Sequence, residues 1–432
     1  MDPLIADFPN RAWYHGRLLS GPRAEAPAAV RAAFQLYLEL AKLKQCRVEL
    51  LLAKLQTIDV TALLATCFVV MGAYVMLFAV AAGSPLARAV LFKTGLFTRA
   101  LAHMALSREK AGWPNRPDPA VALDVALTDV VTQKRIIFVR HGESTWNEIF
   151  NRGINFRFPL RLFEGLMSEL LLLFTKSSFF VDSPLSDHGY DQARELRRFL
   201  QDYDGDAAAS QMNAERKSDP FANSRKQRRV ADADALSGKK GTSIIVASNL
   251  RRAVQTTAIA FWDRLAKTGE KIYILSCLQE MARNVDTRAL AGAQESPPLH
   301  GLESKVENIA ETPMGRMIIG ESGSVVGLNT HFNQGNKPIG RKGINGLTEF
   351  AEWASAQDAD VIIAGGHSLW FKEFFKAFLD NDAAKKDVAA KKKIVNCGVV
   401  GFTLTKVKHP THGNVYRIDP ETVDAVYGGF SK

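Results

Sequence analysis

The run Arg140-His141-Gly142-Glu143-Ser144-Thr145-Trp146-Asn147 closes a short, β-rich apolar stretch, Arg135–Val139. A guanidinium offers a charge-assisted fork for two phosphate oxygens. The glycine lets backbone come close to a ligand. A cation beside His141 lowers the imidazole pKa, which keeps the ring neutral and nucleophilic near neutral pH. The chemistry this spacing offers is capture of a phosphate and attack on it.

Three more runs repeat the theme. Asp182-Ser183-Pro184-Leu185-Ser186-Asp187-His188-Gly189 opens a helical pattern containing Gln192-Ala193. Ser248-Asn249-Leu250-Arg251-Arg252-Ala253-Val254-Gln255-Thr256 follows a second β-rich run, and Gly365-Gly366-His367-Ser368 follows another. Between them, Leu278-Gln279-Glu280 brings a carboxylate. Arginines and histidines thus recur at the C-terminal ends of expected parallel strands, where open α/β sheets bind ligands.

In the order R-H-G-E-S-x-W-N, D-x-P-L-S-x-x-G-x-x-Q-A, S-x-L-x-R-A-x-Q-T and G-G-H-S, these motifs resemble the histidine phosphatase superfamily, in its phosphoglycerate mutase-like branch. The resemblance covers residues 134 to about 407. It implies that His141 is the nucleophile that becomes phosphorylated. It further implies that Arg140, Arg252 and His367 clamp the phosphoryl oxygens, with Asn147 a further donor and Ser144 and Glu143 on the substrate side. The family's arginine stands just before the alanine, which selects Arg252 over Arg251. Glu280 matches the family's proton donor, with Glu143 as the rival carboxylate. The implied reaction is in-line attack by His141, protonation of the leaving alkoxide by Glu280, and hydrolysis of the phosphohistidine. It requires no cofactor, and the sequence holds no metal-ligand cluster and no G-x-x-x-x-G-K-[ST] loop. After Glu280 the chain reads Met281-Ala282-Arg283-Asn284-Val285-Asp286-Thr287, unlike the R-x-Y-G-x-L-like run of the mutases. A phosphatase acting on a small phosphorylated substrate or a phosphoprotein is therefore expected. Mutase-type transfer and a phosphate-binding pseudoenzyme are the alternatives.

The elements that must position these residues are visible as texture. Continuous apolar runs at Arg135–Val139, Thr242–Ala247, Lys271–Leu275, Asp360–Ala364 and Val399–Thr405 suit strands buried on both faces. Helical patterns at Asp187–Tyr203, Arg251–Ala266, Asn345–Ala356 and Ser368–Leu379 lie between them. The expectation is an α/β three-layer sandwich with a mostly parallel central sheet over residues 134–432. Insertions are expected at 149–181, 204–241 and 286–341. The first holds a Leu-rich segment, Phe163–Phe174, expected as a lid on the substrate side. The second is polar and expected to be solvated and mobile.

Upstream the character is different. Residues 1–59 read as a helical region, centred on Val30–Gln56. Val60–Gly83 carries no charge and is long enough for a bilayer span. Residues 84–133 read as a basic amphipathic helix, Pro85–Ser107, and a proline-containing linker, Trp113–Asp129. The expected setting is a single-pass membrane protein touching lipid through this segment, with its catalytic domain on the cytosolic side. Four cysteines without a C-x-x-C pair, among 432 residues, fit a reducing compartment. The 47% hydrophobic content excludes a chain disordered throughout. The formal charge of +10 favours anionic partners. Nucleic acid is not expected among them, because Arg225–Arg229 and Lys385–Lys393 lack interleaved aromatics.

Overall fold

The computed structural model describes residues 12–14, 17–19, 60–81, 83–109, 118–123, 130–203, 222–239, 242–299 and 327–431. The expected helix Val30–Gln56, most of the linker Trp113–Asp129, residues 204–221 and residues 300–326 lie outside them. The chain divides into two compact units, Met1–Ala82 and Gly83–Lys432.

In the first unit, β1 (Ala12–Tyr14) and β2 (Arg17–Leu19) pair antiparallel. Helix α1 spans Val60–Ala81, close to the bounds read for a span. Its described side chains include the exposed Phe68, Val69, Met76 and Phe78. Part of its side chains lie outside the described residues, and among the described residues no helix is long and apolar enough to cross a membrane. The segment is therefore found as a helix, without support as a span.

The second unit begins with α2 (Pro85–Leu106), which starts at the Ser84 cap and a proline in its first turn. Its inner face, with Leu96, Ala100 and the buried Lys93 and His103, packs on the same body as the sheet. Next come β3 (Val130–Arg140), α3 (Thr145–Phe150), α4 (Phe158–Leu171), α5 (Asp187–Asp202) and α6 (Ala222–Ser237). They are followed by β4 (Ser243–Ser248), α7 (Arg251–Ala260), α8 (Trp262–Thr268) and β5 (Ile272–Leu275). After β6 (Leu328–Asn329) come α9 (Gly343–Ser355), β7 (Val361–Gly366) and α10 (Ser368–Phe378). Short helices α11 (Asn381–Lys386) and α12 (Val388–Lys391) lead into β8 (Val399–His409), β9 (Gly413–Ile418) and β10 (Asp424–Tyr427).

The sheet order is β10-β8-β3-β7-β4-β5-β6, with β9 also on β8. From β3 to β6 every pairing is parallel. All three partners of β8 are antiparallel. The sheet is thus mixed, where a mostly parallel one was expected. The antiparallel part is confined to β8 and its neighbours: β8 runs against β3, and the chain turns back near Gly413, whose φ of 69° suits glycine, to lay β9 on β8 as a hairpin.

The three layers follow from the two-residue period of a strand. On β3, Ile137 and Val139 join a core with α5, α7 and α8, while Ile136 and Phe138 join the opposite core with α9 and α10. Phe138 stacks on Phe371 at 4.0 Å between ring centroids and meets Phe402 edge-on at 4.7 Å.

The described part of the polar insertion, residues 222–239, is packed and not merely solvated. Within it, α6 buries Ala233 and Leu236 in the core. Asp232 accepts two bonds from Arg135, at 2.9 and 2.7 Å, and Arg228 reaches Asp424 at 3.0 Å. The Arg225–Arg229 run is therefore partly an ion-paired docking face. Replacing Phe138 by Ala is expected to destabilise this unit by about 3–5 kcal/mol, measured by urea denaturation.

Candidate active site

Parallel neighbours end on the same side of a sheet, so the order β3-β7-β4-β5 puts four motif ends in a row. His141 follows β3, and its N–H donates to the Gly366 carbonyl at 3.0 Å, tying it to the end of β7. His367 follows β7, and the two imidazoles lie 5.0 Å apart between centroids. Arg252 stands in the first turn of α7, just after β4, and Glu280 lies just beyond β5.

The first and second motifs meet through their glycines. A Cβ on Gly142 would lie 2.6 Å from the Gly189 carbonyl oxygen, and one on Gly189 would lie 1.9 Å from that of Glu143. Only glycine permits this approach. It brings the Ser186 cap of α5 within 3.0 Å of the Glu143 carboxylate. The Gly142 N–H donates to Thr256 Oγ1 at 3.0 Å, which joins the third motif to the first.

Tautomers follow from the partners. His141 Nδ1 lies 2.6 Å from the Gly142 carbonyl oxygen, which only accepts, so Nδ1 carries the proton and Nε2 keeps its lone pair. Burial first, then Arg252 and Arg140, hold the His141 pKa well below its ordinary value. The expected neutral imidazole is thus present, with burial the larger cause. His367 Nε2 meets Ser248 Oγ at 2.9 Å, while its buried Nδ1 has no protein partner. Its pKa is likewise held low, by burial and then by Arg252.

Arg252 is almost wholly buried, with Nη1 donating to the Asp286 main-chain carbonyl at 2.8 Å and Nε unpartnered. Arg140 Nη1 donates to the Ile394 carbonyl at 2.6 Å, and its Nε is also buried and unpartnered. Burial pushes the Arg140 pKa down to about 10, against the pull of Glu280. Glu280 Oε1 accepts from the Met281 N–H at 2.8 Å and from the Trp370 N–H at 3.0 Å. The second bond comes from the first turn of α10, where the helix dipole favours a carboxylate. Buried guanidinium and imidazole nitrogens left unpaired are costly. An oxyanion among them would satisfy several at once.

The structure brings together His141, Arg140, Arg252, His367 and Glu280. Ser144 Oγ caps α3 by accepting from the Asn147 N–H at 3.3 Å. The Asn147 side-chain carbonyl oxygen accepts from Asn151 at 2.8 Å. The rival carboxylate Glu143 pairs with Arg152. Arg251 serves the fold, with its N–H on Asp182 Oδ1 at 2.8 Å and its Nε on the Asp182 carbonyl at 2.6 Å.

Sequence reasoning missed Asp286 and Lys337. The Asp286 carboxylate reaches Arg252 Nη2 at 3.4 Å, and its Oδ1 is buried without a partner. Lys337 donates to the Glu280 carbonyl and pairs with Glu109. Neither belongs to a motif, and Lys337 lies deep in the last insertion. The only signal was Asp286 in the run after Glu280.

No family model matches the chain, and no curated protein does. Among solved structures it is similar to a mycobacterial glucosyl-3-phosphoglycerate phosphatase, at 14% identity over 66% of this chain and 97% of that one, TM-score 0.26. It is similar to the phosphoglycerate mutase from Thermus thermophilus, at 13% identity over 66% of this chain and 98% of that one, TM-score 0.26. It is also similar to the ecdysone phosphate phosphatase from Bombix mori, at 11% identity over 69% of this chain and 94% of that one, TM-score 0.29. Likeness at this level assigns no residue and no substrate.

Asp286 adds a pH dependence. Burial pushes its pKa up to about 6, with Arg252 opposing. The group is neutral below that value and anionic above it, where it competes with phosphate for Arg252. Asp286→Asn is therefore expected to bind inorganic phosphate about tenfold more tightly than the unmodified protein near pH 7.5. Near pH 4.5 the two should bind alike; inhibition or calorimetric titration at both pH values reads the ratio.

Proposed function

We propose that this chain hydrolyses phosphate monoesters through a phosphohistidine on His141, in the manner of histidine phosphatases. The observation that carries this is a neutral imidazole with Nε2 unprotonated, set beside two buried guanidinium groups with unpartnered nitrogens. Arg140, Arg252 and His367 Nδ1 take the phosphoryl oxygens, and their buried setting strengthens each contact. His141 Nε2 attacks phosphorus in line as the P–O ester bond breaks. Glu280 in its protonated form gives its proton to the departing alkoxide, then takes one from the water that cleaves the P–N bond. Inorganic phosphate leaves, and His141 regains its lone pair.

The substrate class is a phosphorylated small molecule or a phosphoprotein. A reducing, cytosolic setting fits Cys277 and Cys397, which are buried and free. A mutase would instead return the phosphoryl group to its substrate. Incubation with 3-phosphoglycerate, with and without 2,3-bisphosphoglycerate, separates the two: phosphate release that ignores the bisphosphate supports hydrolysis.

His141→Ala is expected to lower turnover of an aryl phosphate by roughly a thousandfold or more and to abolish acid-labile phosphate labelling of the protein. A fully active variant would exclude His141 as nucleophile. Glu280→Gln should slow alkyl phosphates by about 10²–10⁴-fold. Aryl phosphates with acidic leaving groups should suffer far less, because their departure needs no proton; steady-state rates across a leaving-group series test this.

A further inference from the structure

The first insertion leaves an apolar face that the proposed reaction does not use. On α4, Leu160, Phe163, Met167 and Leu170 are exposed at helical spacing, forming one stripe. Ahead of the helix, Ile154 and Phe156 are almost fully exposed, at 88% and 87%. Arg161 donates to the Gly153 carbonyl at 2.8 Å, fixing this loop to the helix beside the stripe. The opposite side of α4 is packed: Gly165 faces Ile149, Phe179 and Phe180, and the buried Lys93 of α2 pairs with Glu169 at 2.6 Å. The helix is thus anchored by one face and bare on the other. Contiguous apolar surface of this kind marks an interaction site.

Its charge narrows the occupant. Arg157 and Lys176 are exposed at the two ends of the stripe, with Glu164 the opposing exposed acid, while Glu169 is neutralised by Lys93. The neighbouring α2 has no acidic residue and exposes Arg88 and Arg99 together with Leu101 and Met104. The segment preceding α2 in sequence is the charge-free Val60–Ala81. Apolar side chains rimmed by basic groups match an interface of acyl chains beneath anionic headgroups. We infer that α4 and the loop before it dock on an anionic lipid surface, with Ile154 and Phe156 entering first.

Docking of this kind does not depend on the proposed reaction, and its test needs no turnover. In the full chain, Phe156→Cys on a Cys46→Ser/Cys67→Ser background is labelled with an environment-sensitive fluorophore. With vesicles of phosphatidylcholine and phosphatidylserine, the emission should shift to the blue and be quenched by nitroxide-labelled lipid. With phosphatidylcholine alone, or at high salt, the response should fall. A label that stays water-exposed while the protein sediments with vesicles overturns the inference, since α1 alone would then hold the lipid. A blue shift without lipid that grows with protein concentration, meaning a second copy, also overturns it. So does one produced by orthovanadate alone, meaning a lid closing on the chain's own site.

Discussion

Two guanidinium groups and two imidazoles sit together out of water at one edge of the sheet, and much of the molecule exists to make that tolerable. Such a cluster raises its own energy through mutual repulsion and lost hydration. Main-chain carbonyls at Ile394 and Asp286 and the carboxylate of Asp286 relieve part of this. The remainder is taken up by keeping both imidazoles neutral. The unrelieved part is left on the unpartnered nitrogens of Arg140, Arg252 and His367, which an oxyanion would satisfy. The unpartnered guanidinium nitrogens and the neutral imidazoles therefore share one electrostatic cause.

Holding the cluster requires parallel strands of the right order, and the motifs are the joints. Gly142 against Gly189 closes the first motif on the second, and Thr256 closes the third on the first. The Trp370 amide of α10 fixes the carboxylate that follows β5. Each joint is a backbone or near-backbone contact, which limits how far a side chain at the centre can wander.

That is also why so much could be read from the residues. Strands buried on both faces give continuous apolar runs, so five strands and three helices were found where expected, with β3 and β8 longer than their apolar runs, while Arg251–Ala266 is two helices, α7 and α8, and not one. His141, Arg252, Glu280 and His367 were legible because motif order fixes strand ends. Asp286 and Lys337 were not, because their positions depend on where the last insertion leaves the sheet and returns to it. The β8–β9 hairpin was missed since β9 is short and half polar. Ser144 has a structural use the motif did not disclose, because a hydroxyl beside His141 can serve a helix cap.

The central strand β3 has a further bearing on how the protein comes into being. It leads directly into His141, yet its two partners are β7, which begins at Val361, and β8, which begins at Val399. Loop closures of that length are slow, and strands awaiting distant partners present open edges meanwhile. A nascent chain emerges with His141 more than two hundred residues ahead of the strands that complete its surroundings. The cluster around His141 can therefore assemble only after β7 and β8 have been made, and β3 waits with open edges until then.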